Sequence, residues 1–310
     1  MTDAVVVVEG LRKAYGRRVA ADDVSFTVGR GEIFGMVGPN GAGKTTIIEC
    51  IEGLRRPDAG TIRVLGLDPH RERKALALRM GVQTQGATLQ NRLRVREAVE
   101  LYGAFHARPA DGDALLAQMG LADRRNAFFC ELSWGQRQRL FIALALLGRP
   151  EVLFLDELST GLDPHARHGV WDLVRAIRAA GTSVLLTTHA MDEAELLCDR
   201  VAIVDAGRIV ALDPPDRLVA RLDAETRVTF IPDGPLEPQT LLDVAGVTRV
   251  DSGPERVTVF GRGDWFVADL LGALRARGVA IRNLSTTPPS LEDAFLTLGG
   301  GALPAAAAAE

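Results

Sequence analysis

The sequence predicts an α/β fold with a mixed β-sheet at its core. Residues 38–45 read Gly-Pro-Asn-Gly-Ala-Gly-Lys-Thr and fit the G-x-x-x-x-G-K-[ST] pattern of a phosphate-binding loop. A short apolar run at 32–37 precedes the loop, and isoleucines at helical spacing follow it at 46–51, as a strand–loop–helix unit requires. The continuous apolar runs 152–155 and 184–187 are typical of parallel strands that are buried on both faces.

The phosphate-binding loop has a direct chemical meaning. Its glycines let backbone N–H groups turn towards phosphates, Lys44 reaches the β- and γ-phosphates, and the Thr45 hydroxyl can bind Mg²⁺. The helix that follows adds free N–H groups and the positive end of its dipole. The sequence therefore predicts a site for a nucleoside triphosphate with magnesium. The residues expected to hold it are Gly38, Pro39, Asn40, Gly41, Ala42, Gly43, Lys44, Thr45 and Thr46.

The composition limits the classes of function. A chain of 310 residues can form one large or two modest domains. The net charge is −4, the pI is about 5.8 and aromatic residues make up only 5%, so neither a basic surface nor stacking platforms indicate a nucleic acid partner. The three cysteines, Cys50, Cys130 and Cys198, are far apart and lack metal-ligand spacing, which is typical of a reducing cytosol.

Neither a signal peptide nor a membrane span is predicted. The first residues lack a basic region, and Glu9 interrupts their valine run. The longest apolar stretch, 140–148, is far shorter than the roughly 20 residues that cross a bilayer. Work at a membrane would therefore need a partner that spans it.

The hydrophobic periodicity divides the chain into segments. An α/β domain is expected over 1–221, with a helical subdomain inserted at about 86–150. After two consecutive prolines, alternating strands and helices predict a small α+β domain over 222–298. Residues 299–310 are mostly glycine and alanine, and we expect a disordered tail.

Helices can be placed within these segments. In the small domain, 238–244 and 265–277 are predicted helices, and 291–298 is a short amphipathic helix whose apolar residues, Leu298 included, pack on the domain. In the helical subdomain, one face of a predicted helix carries Val95, Ala98, Val99, Tyr102 and Phe105.

Two carboxylates end the apolar run at 152–155. Asp156, at the carboxyl end of a strand beside the phosphate-binding loop, can hold magnesium through Thr45 and water. Glu157 comes next and could polarise an attacking water. The alternative is a strand that ends in a solvated acidic turn, and the loop at 38–45 favours the magnesium site.

A serine heads another apolar helix. Ser133 comes shortly before the apolar residues 140–147 and supplies a hydroxyl cap beside the positive end of a helix dipole. This combination is a second device for binding an anion. The alternative is an ordinary capped helix, which a lone serine would favour.

Taken together, the motifs resemble the ATP-binding subunit of an ABC transporter over residues 4–220. The loop corresponds to the Walker A motif, Asp156 to the Walker B aspartate and Glu157 to the catalytic glutamate. Residues 132–136 read Leu-Ser-Trp-Gly-Gln where the family has its LSGGQ signature, and residues 159–163 resemble its D-loop. Their common order and spacing make the resemblance specific.

The resemblance implies roles for further residues. Tyr15 falls where the family stacks an aromatic ring on adenine, Gln85 at the Q-loop glutamine and His189 at the switch histidine. An ATPase is implied that works as a nucleotide-sandwich dimer, in which the signature loop of one subunit closes over the nucleotide bound to the other. The implied catalytic residues are Lys44, Glu157 and His189, the metal ligands Thr45, Gln85 and Asp156, and the signature-side contacts Ser133, Gly135, Gln136 and Asp163.

The C-terminal segment narrows the resemblance. Residues 289–296 are similar to the closing segment of ATPases that serve ABC-2 type exporters, the drug and antibiotic efflux group. This implies an ABC-2 permease as partner and a location at the cytoplasmic face of the cell membrane. It also implies that the chain pairs with an identical chain, as a homodimer, or with a second ATPase subunit. Two alternatives stay open: an ABC ATPase that acts on ribosomes or DNA, and a regulatory ATP-binding module with weak hydrolysis. A single motif set and the lack of a long heptad run argue against the first.

Trp134 departs from the family pattern, which has glycine at this position of the signature. A positive φ at Trp134 would add strain on the order of 1 kcal/mol, whereas a negative φ would leave only the bulk of the ring to consider. In the first interpretation the ring folds away or lies beside the ribose, and the protein is a working ATPase. In the second the ring blocks closure and hydrolysis is slow. The presence of Glu157 and His189 favours the first.

Overall fold

The structure is a computed structural model that describes residues 3–222, 225–234, 236–253 and 256–298. They form two compact units: a larger one that runs to Pro215 and also includes Leu298, and a smaller one of Asp216–Thr297. The tail predicted at 299–310 lies outside the described residues. In the part of the chain that is described, every helix is too short or too polar to cross a bilayer.

Strands and helices alternate along most of the described chain. The strands are β1 (Ala4–Tyr15), β2 (Arg18–Gly29), β3 (Ile33–Val37), β4 (Ala59–Val64), β5 (Met80–Gln83), β6 (Val152–Asp156), β7 (Ser183–Thr188), β8 (Arg200–Asp205), β9 (Arg208–Asp213), β10 (Thr226–Asp233), β11 (Val247–Ser252), β12 (Val257–Gly261) and β13 (Ala280–Thr287). The helices are α1 (Lys44–Ile51), α2 (Arg73–Ala77), α3 (Val95–Gly103), α4 (Gly112–Gln118), α5 (Trp134–Leu146), α6 (Pro164–Ala179), α7 (Met191–Leu197), α8 (Pro215–Ala220), α9 (Phe266–Ala276) and α10 (Leu291–Leu298). Short 3₁₀ helices lie at Ala122–Arg124, Phe129–Glu131 and Pro238–Asp243.

A six-stranded sheet in the order β5-β6-β7-β3-β8-β9 forms the centre of the larger unit. Its neighbouring strands are parallel except for the antiparallel pair β8 and β9, so the predicted mixed sheet is confirmed. Every residue of β3, β6 and β7 is buried, as their continuous apolar runs predict. Because parallel strands end at one edge of a sheet, the segments that follow β3, β6 and β7 meet there.

A second sheet, antiparallel and in the order β2-β1-β4, shares its hydrophobic core with the first. Phe26 of β2 stacks on Phe34 of β3 with ring centroids 5.0 Å apart. The hairpin between β1 and β2 pairs Tyr15 with Arg18 at its tip. This sheet therefore carries Tyr15 and Arg18 next to the loop that follows β3.

Helices α3, α4 and α5 lie between β5 and β6, where the sequence predicts a helical insert. Val95, Ala98 and Val99 of α3 are buried as expected. The prediction for Phe105 was wrong, because α3 ends at Gly103 and the Phe105 side chain is 71% exposed. The N–H of Phe105 donates to the Tyr102 carbonyl at 3.2 Å, so the chain leaves the helix in a tight turn.

The smaller unit is an antiparallel sheet in the order β11-β12-β10-β13 with helix α9. Its core joins Val228 and Phe230 of β10 to Phe266 and Leu270 of α9. The helix predicted at 238–244 is a 3₁₀ helix over Pro238–Asp243. In α10, Leu291, Ala294 and Phe295 are buried and Leu296 is exposed, whereas Leu298 is exposed against expectation because it occupies the last position of the helix.

Candidate functional site

The loop between β3 and α1 can be built only with glycine at two positions. Gly38 has φ +155° and Gly43 has φ +108°, backbone that side chains rarely adopt. A Cβ at Gly38 would overlap the carbonyl oxygen of Val204, and one at Gly43 would overlap that of Ala20. The loop is therefore pressed against neighbouring backbone at both positions.

Lys44 is buried at the start of α1 and bonded to the loop that precedes it. Its Nζ donates to the carbonyl oxygens of Gly38 at 2.7 Å and Pro39 at 3.0 Å. Burial lowers the pKa of Lys44, and the charges of Glu157 and Asp156 oppose that shift. The ammonium is thus held within the loop, next to two carboxylates.

One pocket of about 450 Å³ brings many of the predicted residues together. Tyr15 lies at its edge, 41% exposed, with the Arg55 guanidinium 5.3 Å from the ring centroid. Arg18, which the sequence analysis did not single out, donates to the carbonyl oxygen of Gly41 at 3.0 Å. The residues that line the pocket are Tyr15, Arg18, Ala20, Asn40, Gly41, Gly43, Lys44, Thr45, Thr46, Gln85 and Glu157.

Asp156 ends β6 in a buried position close to the loop. Its Oδ1 accepts a hydrogen bond from the Thr187 hydroxyl on the neighbouring strand β7. Burial raises the pKa of the Asp156 carboxyl, the Thr187 hydroxyl opposes this, and the charge of Glu157 adds to it. A cation that binds Asp156 would therefore offset an unfavourable buried charge.

Glu157 is the residue on which the polar groups of the site converge. Its Oε2 accepts hydrogen bonds from Gln85 Nε2 at 3.0 Å and from the Thr160 hydroxyl at 2.9 Å. Its Oε1 lies 3.6 Å from Nδ1 of His189. The backbone of Glu157 has φ +52°, a left-handed conformation, and its N–H donates to the carbonyl oxygen of Thr187 at 3.1 Å. Sequence reasoning missed Thr160 and Thr187.

The signature residues are not among those that line this pocket. Ser133 caps α5 in a reciprocal pair with Gln136: the Gln136 N–H donates to Ser133 Oγ at 3.3 Å, and the Ser133 N–H donates to Gln136 Oε1 at 3.0 Å. Gly135 lies in the first turn of the same helix. Asp163 caps α6 by accepting the Ala166 N–H at 2.9 Å. Within one chain, these four predicted residues stand apart from Lys44.

Comparisons with known proteins identify the family of the chain. The family model described as "ABC transporter" matches residues 21–160. The daunorubicin resistance ATP-binding protein of Streptomyces coeruleorubidus is 40% identical, over 97% of this chain and 97% of that one. The chain belongs to the ABC transporter family. It is an ATP-binding, ATP-hydrolysing cassette of that family.

A second curated relative matches nearly the whole of this ABC cassette chain, and solved structures match about 70% of it. Nod factor export ATP-binding protein I of Ralstonia nicotianae is 36% identical, over 96% of this chain and 94% of that one. A solved ATP-binding subunit of an ABC transporter is 29% identical, with a TM-score of 0.64, and covers 70% of this chain and 92% of that one. The cbiO1 protein of Clostridium perfringens, part of an ABC transporter complex, is 26% identical, with a TM-score of 0.64, and covers 71% and 92%.

Trp134 in the signature of this ABC cassette causes no backbone strain. It is the first residue of α5 and is absent from the described residues with positive φ. Its indole folds onto its own chain, where Nε1 donates to the Thr160 carbonyl oxygen at 2.8 Å, and the side chain is 53% exposed. Of the two possibilities for φ, the negative one is found, so only the bulk of the ring matters.

Proposed function

We propose that this cassette binds and hydrolyses ATP with Mg²⁺ in a sandwich of two ATPase subunits and thereby drives export through an ABC-2 type permease. The convergence of Gln85, Thr160 and His189 on the Glu157 carboxylate carries the proposal. Glu157 lines the same pocket as Lys44 and the phosphate-binding loop.

The proposed nucleotide contacts follow the shape of the pocket. The ring of Tyr15 stacks on adenine at the open edge, and the backbone N–H groups of residues 40, 41 and 43–46 surround the phosphates. Lys44 exchanges its two loop carbonyls for phosphate oxygens. Its lowered pKa reflects a buried ammonium, which gains from a nearby anion.

The proposed magnesium ligands are Thr45, Gln85 and Asp156. Their hydroxyl, amide and carboxylate oxygens are hard donors of the kind that Mg²⁺ prefers. Asp156 fits the role because its carboxylate is buried next to the loop and is destabilised there by the charge of Glu157. A bound Mg²⁺ ion would neutralise part of the negative charge on the phosphates.

Hydrolysis is assigned to Glu157, with His189 and Lys44 beside it. Glu157 polarises the attacking water, His189 contacts the γ-phosphate from the end of β7, and Lys44 stabilises charge on the phosphates. We expect Glu157→Gln to bind ATP with native affinity and to lose turnover. Turnover is measured as phosphate release, and binding by titration with a fluorescent ATP analogue. Hydrolysis at the native rate in Glu157→Gln would show that another group is the base.

Two chains are needed to complete the proposed site. Ser133, Gly135, Gln136 and Asp163 do not line the pocket of their own chain, and the first turn of α5 presents the positive end of its helix dipole. These groups would face the nucleotide of a second subunit, either an identical chain or a paired ATPase. Light scattering of Glu157→Gln should show a dimer with ATP and a monomer without it. A monomer in both conditions would argue for a different partner subunit.

The transport step is inferred from the relatives and from the segment at 289–296. The two curated relatives described above are named for daunorubicin resistance and for Nod factor export. We therefore propose export of drug-like or apolar compounds, with the cassette at the cytoplasmic face of the cell membrane. Co-purification with an ABC-2 permease, and stimulation of hydrolysis by that permease in vesicles, would test this. The alternative of a regulatory module with weak hydrolysis stays open, because the exposed ring of Trp134 lies where the signature would close on the nucleotide of the other subunit.

A further inference from the structure

Trp134 makes a directed contact with a distant turn of its own chain. Its indole N–H donates to the Thr160 carbonyl oxygen at 2.8 Å. The ring also lies over Gly161, where an added Cβ would be 3.3 Å from the indole nitrogen. The next residue of α5, Gly135, approaches Leu162 just as closely, since an added Cβ would be 3.4 Å from its Cδ2. The start of α5 is thus packed on the turn that follows Glu157.

Thr160 is hydrogen bonded at both of its polar ends. While its carbonyl oxygen accepts from Trp134, its hydroxyl donates to Oε2 of Glu157 at 2.9 Å. The same carboxylate oxygen accepts from Gln85 at 3.0 Å. Two successive hydrogen bonds therefore join the indole to the carboxylate, and Thr160 is the only residue between them.

The turn at Glu157 makes the carboxylate sensitive to where Thr160 lies. Glu157 has φ +52°, which for a non-glycine residue persists only when its surroundings hold it. The N–H of Thr160 donates to the Glu157 carbonyl oxygen at 3.4 Å and closes the turn. A shift of the Thr160 peptide would change both the turn and the direction of the hydroxyl that holds Glu157.

We propose that Trp134 is a positioning residue for hydrolysis: it holds Thr160 so that the Thr160 hydroxyl fixes the Glu157 carboxylate of the same chain. The proposal rests on the assignment of Glu157 as the group that polarises water. It gives the signature segment a second task within its own chain, in addition to its contact with the nucleotide of the other subunit. The bulk of the indole is then a requirement for activity rather than an obstacle to closure.

The experiment compares steady-state hydrolysis of MgATP by variants of the full-length chain. Trp134→Phe keeps an aromatic ring and removes the donor, so kcat should fall about threefold to tenfold with KM for ATP unchanged. Thr160→Val removes the hydroxyl that bonds a charged group, so kcat should fall about tenfold to a hundredfold. Thr160→Ser keeps the hydroxyl and should retain most of the native kcat.

A double-mutant cycle tests whether Trp134 acts through Thr160. In the Thr160→Val background, Trp134→Phe should cause no further loss of kcat, because the path to Glu157 is already broken. Trp265→Phe is the matched control, since Trp265 belongs to the smaller unit and its side chain is 75% exposed. Its kcat and KM should equal those of the native chain.

Each other outcome overturns the positioning role. A native kcat in Trp134→Phe shows that the donor is not needed, and a raised kcat shows that the ring obstructs closure. Losses that multiply in the double variant show that the two residues act independently. The Glu157→Gln variant separates the two proposals: if it hydrolyses at the native rate, the assignment of Glu157 fails. If it is inactive while Trp134→Phe is native in kcat, only the role of Trp134 fails.

Discussion

The indole N–H of Trp171 donates a hydrogen bond of 2.8 Å to Oε1 of Glu193 in the interior of the larger unit. Trp171 belongs to α6, and Glu193 belongs to α7, which begins two residues after His189. The other carboxylate oxygen, Oε2, has no hydrogen bond partner among the described residues. The helix that follows His189 is therefore tied to α6 through a buried carboxylate with a single partner.

Removing this donor should destabilise the larger unit. In Trp171→Phe, the Glu193 carboxylate stays buried and loses the one hydrogen bond it makes with the described residues, so we expect the free energy of unfolding to fall by about 1–3 kcal/mol. Urea denaturation monitored by circular dichroism measures the change. Trp265→Phe, at an exposed position, should stay within about 0.5 kcal/mol of the native chain. Equal stability of both variants would show that Glu193 finds another partner.

Glu52 predicts a pH dependence of stability. It is buried at the end of α1, and burial, with the charges of Asp156 and Glu49, raises the pKa of its carboxyl from 4.5 to about 8. Because the folded chain holds this proton more tightly than the unfolded chain, the stability that Glu52 contributes is complete below pH 4.5 and is lost as the pH rises through about 8. Glu52→Gln should remove this loss, worth up to about 1.4 kcal/mol for each pH unit in that window.

Urea denaturation of Glu52→Gln and the native chain at pH 5 and pH 8 checks this sign. The variant should be the more stable at pH 8, and the difference should shrink towards pH 5. Glu100→Gln, on the exposed side of α3, is the matched control and should leave the pH profile of stability unchanged. A constant difference between Glu52→Gln and the native chain at both pH values would contradict the prediction.

Gly43→Ala should abolish nucleotide binding. The new Cβ would overlap the carbonyl oxygen of Ala20, and the backbone at φ +108° disfavours alanine as well, so the loop must move. Titration with a fluorescent ATP analogue should show no saturation. Gly169→Ala is the control: Gly169 lies within α6 with open space around it, and alanine there should bind ATP normally and add up to about 1 kcal/mol of stability. Native affinity in Gly43→Ala would contradict the proposed cradle.

Tyr15 should contribute to ATP affinity through its ring alone. Stacking of a base on an aromatic side chain is worth about 1–3 kcal/mol, so Tyr15→Ala should raise the Kd for ATP about fivefold to a hundredfold. Tyr15→Phe keeps the ring and should bind with native affinity. Equilibrium titration of the two variants decides the point. If alanine at this position leaves Kd unchanged, adenine lies elsewhere in the pocket.

Local patterns in the sequence predict the phosphate-binding side of the site. The loop at 38–45 is contiguous, and Asp156 and Glu157 end a strand that its apolar run reveals. The rule that parallel strands end at one edge predicts that these segments meet, and in the structure Glu157 and Lys44 line one pocket. The periodicity of α3 was less informative, because it extends to Phe105 although the helix ends at Gly103.

The contacts that orient Glu157 could not be predicted. The position of a threonine in the sequence does not reveal which group its hydroxyl will bond. Thr187, for example, belongs to a strand 30 residues away from Glu157. Arg18 reaches the loop only because the hairpin of the second sheet carries it there. The direction of the Trp134 indole depends on a carbonyl 26 residues further along the chain. Such contacts are set by the packing of separate elements.

The adjacency of β5 and β6 has a consequence for how such cassettes diversify. The helical segment leaves the sheet at Gln83 and returns at Val152, and these residues belong to neighbouring parallel strands. Its sequence and length can therefore change without displacing β3, β6 or β7, which carry the phosphate-binding loop, Glu157 and His189. Helices α3 and α4 of this segment are a natural unit for recombination: chimeras that exchange them between relatives, and keep Gln85 and the start of α5, should retain the same hydrolytic chemistry.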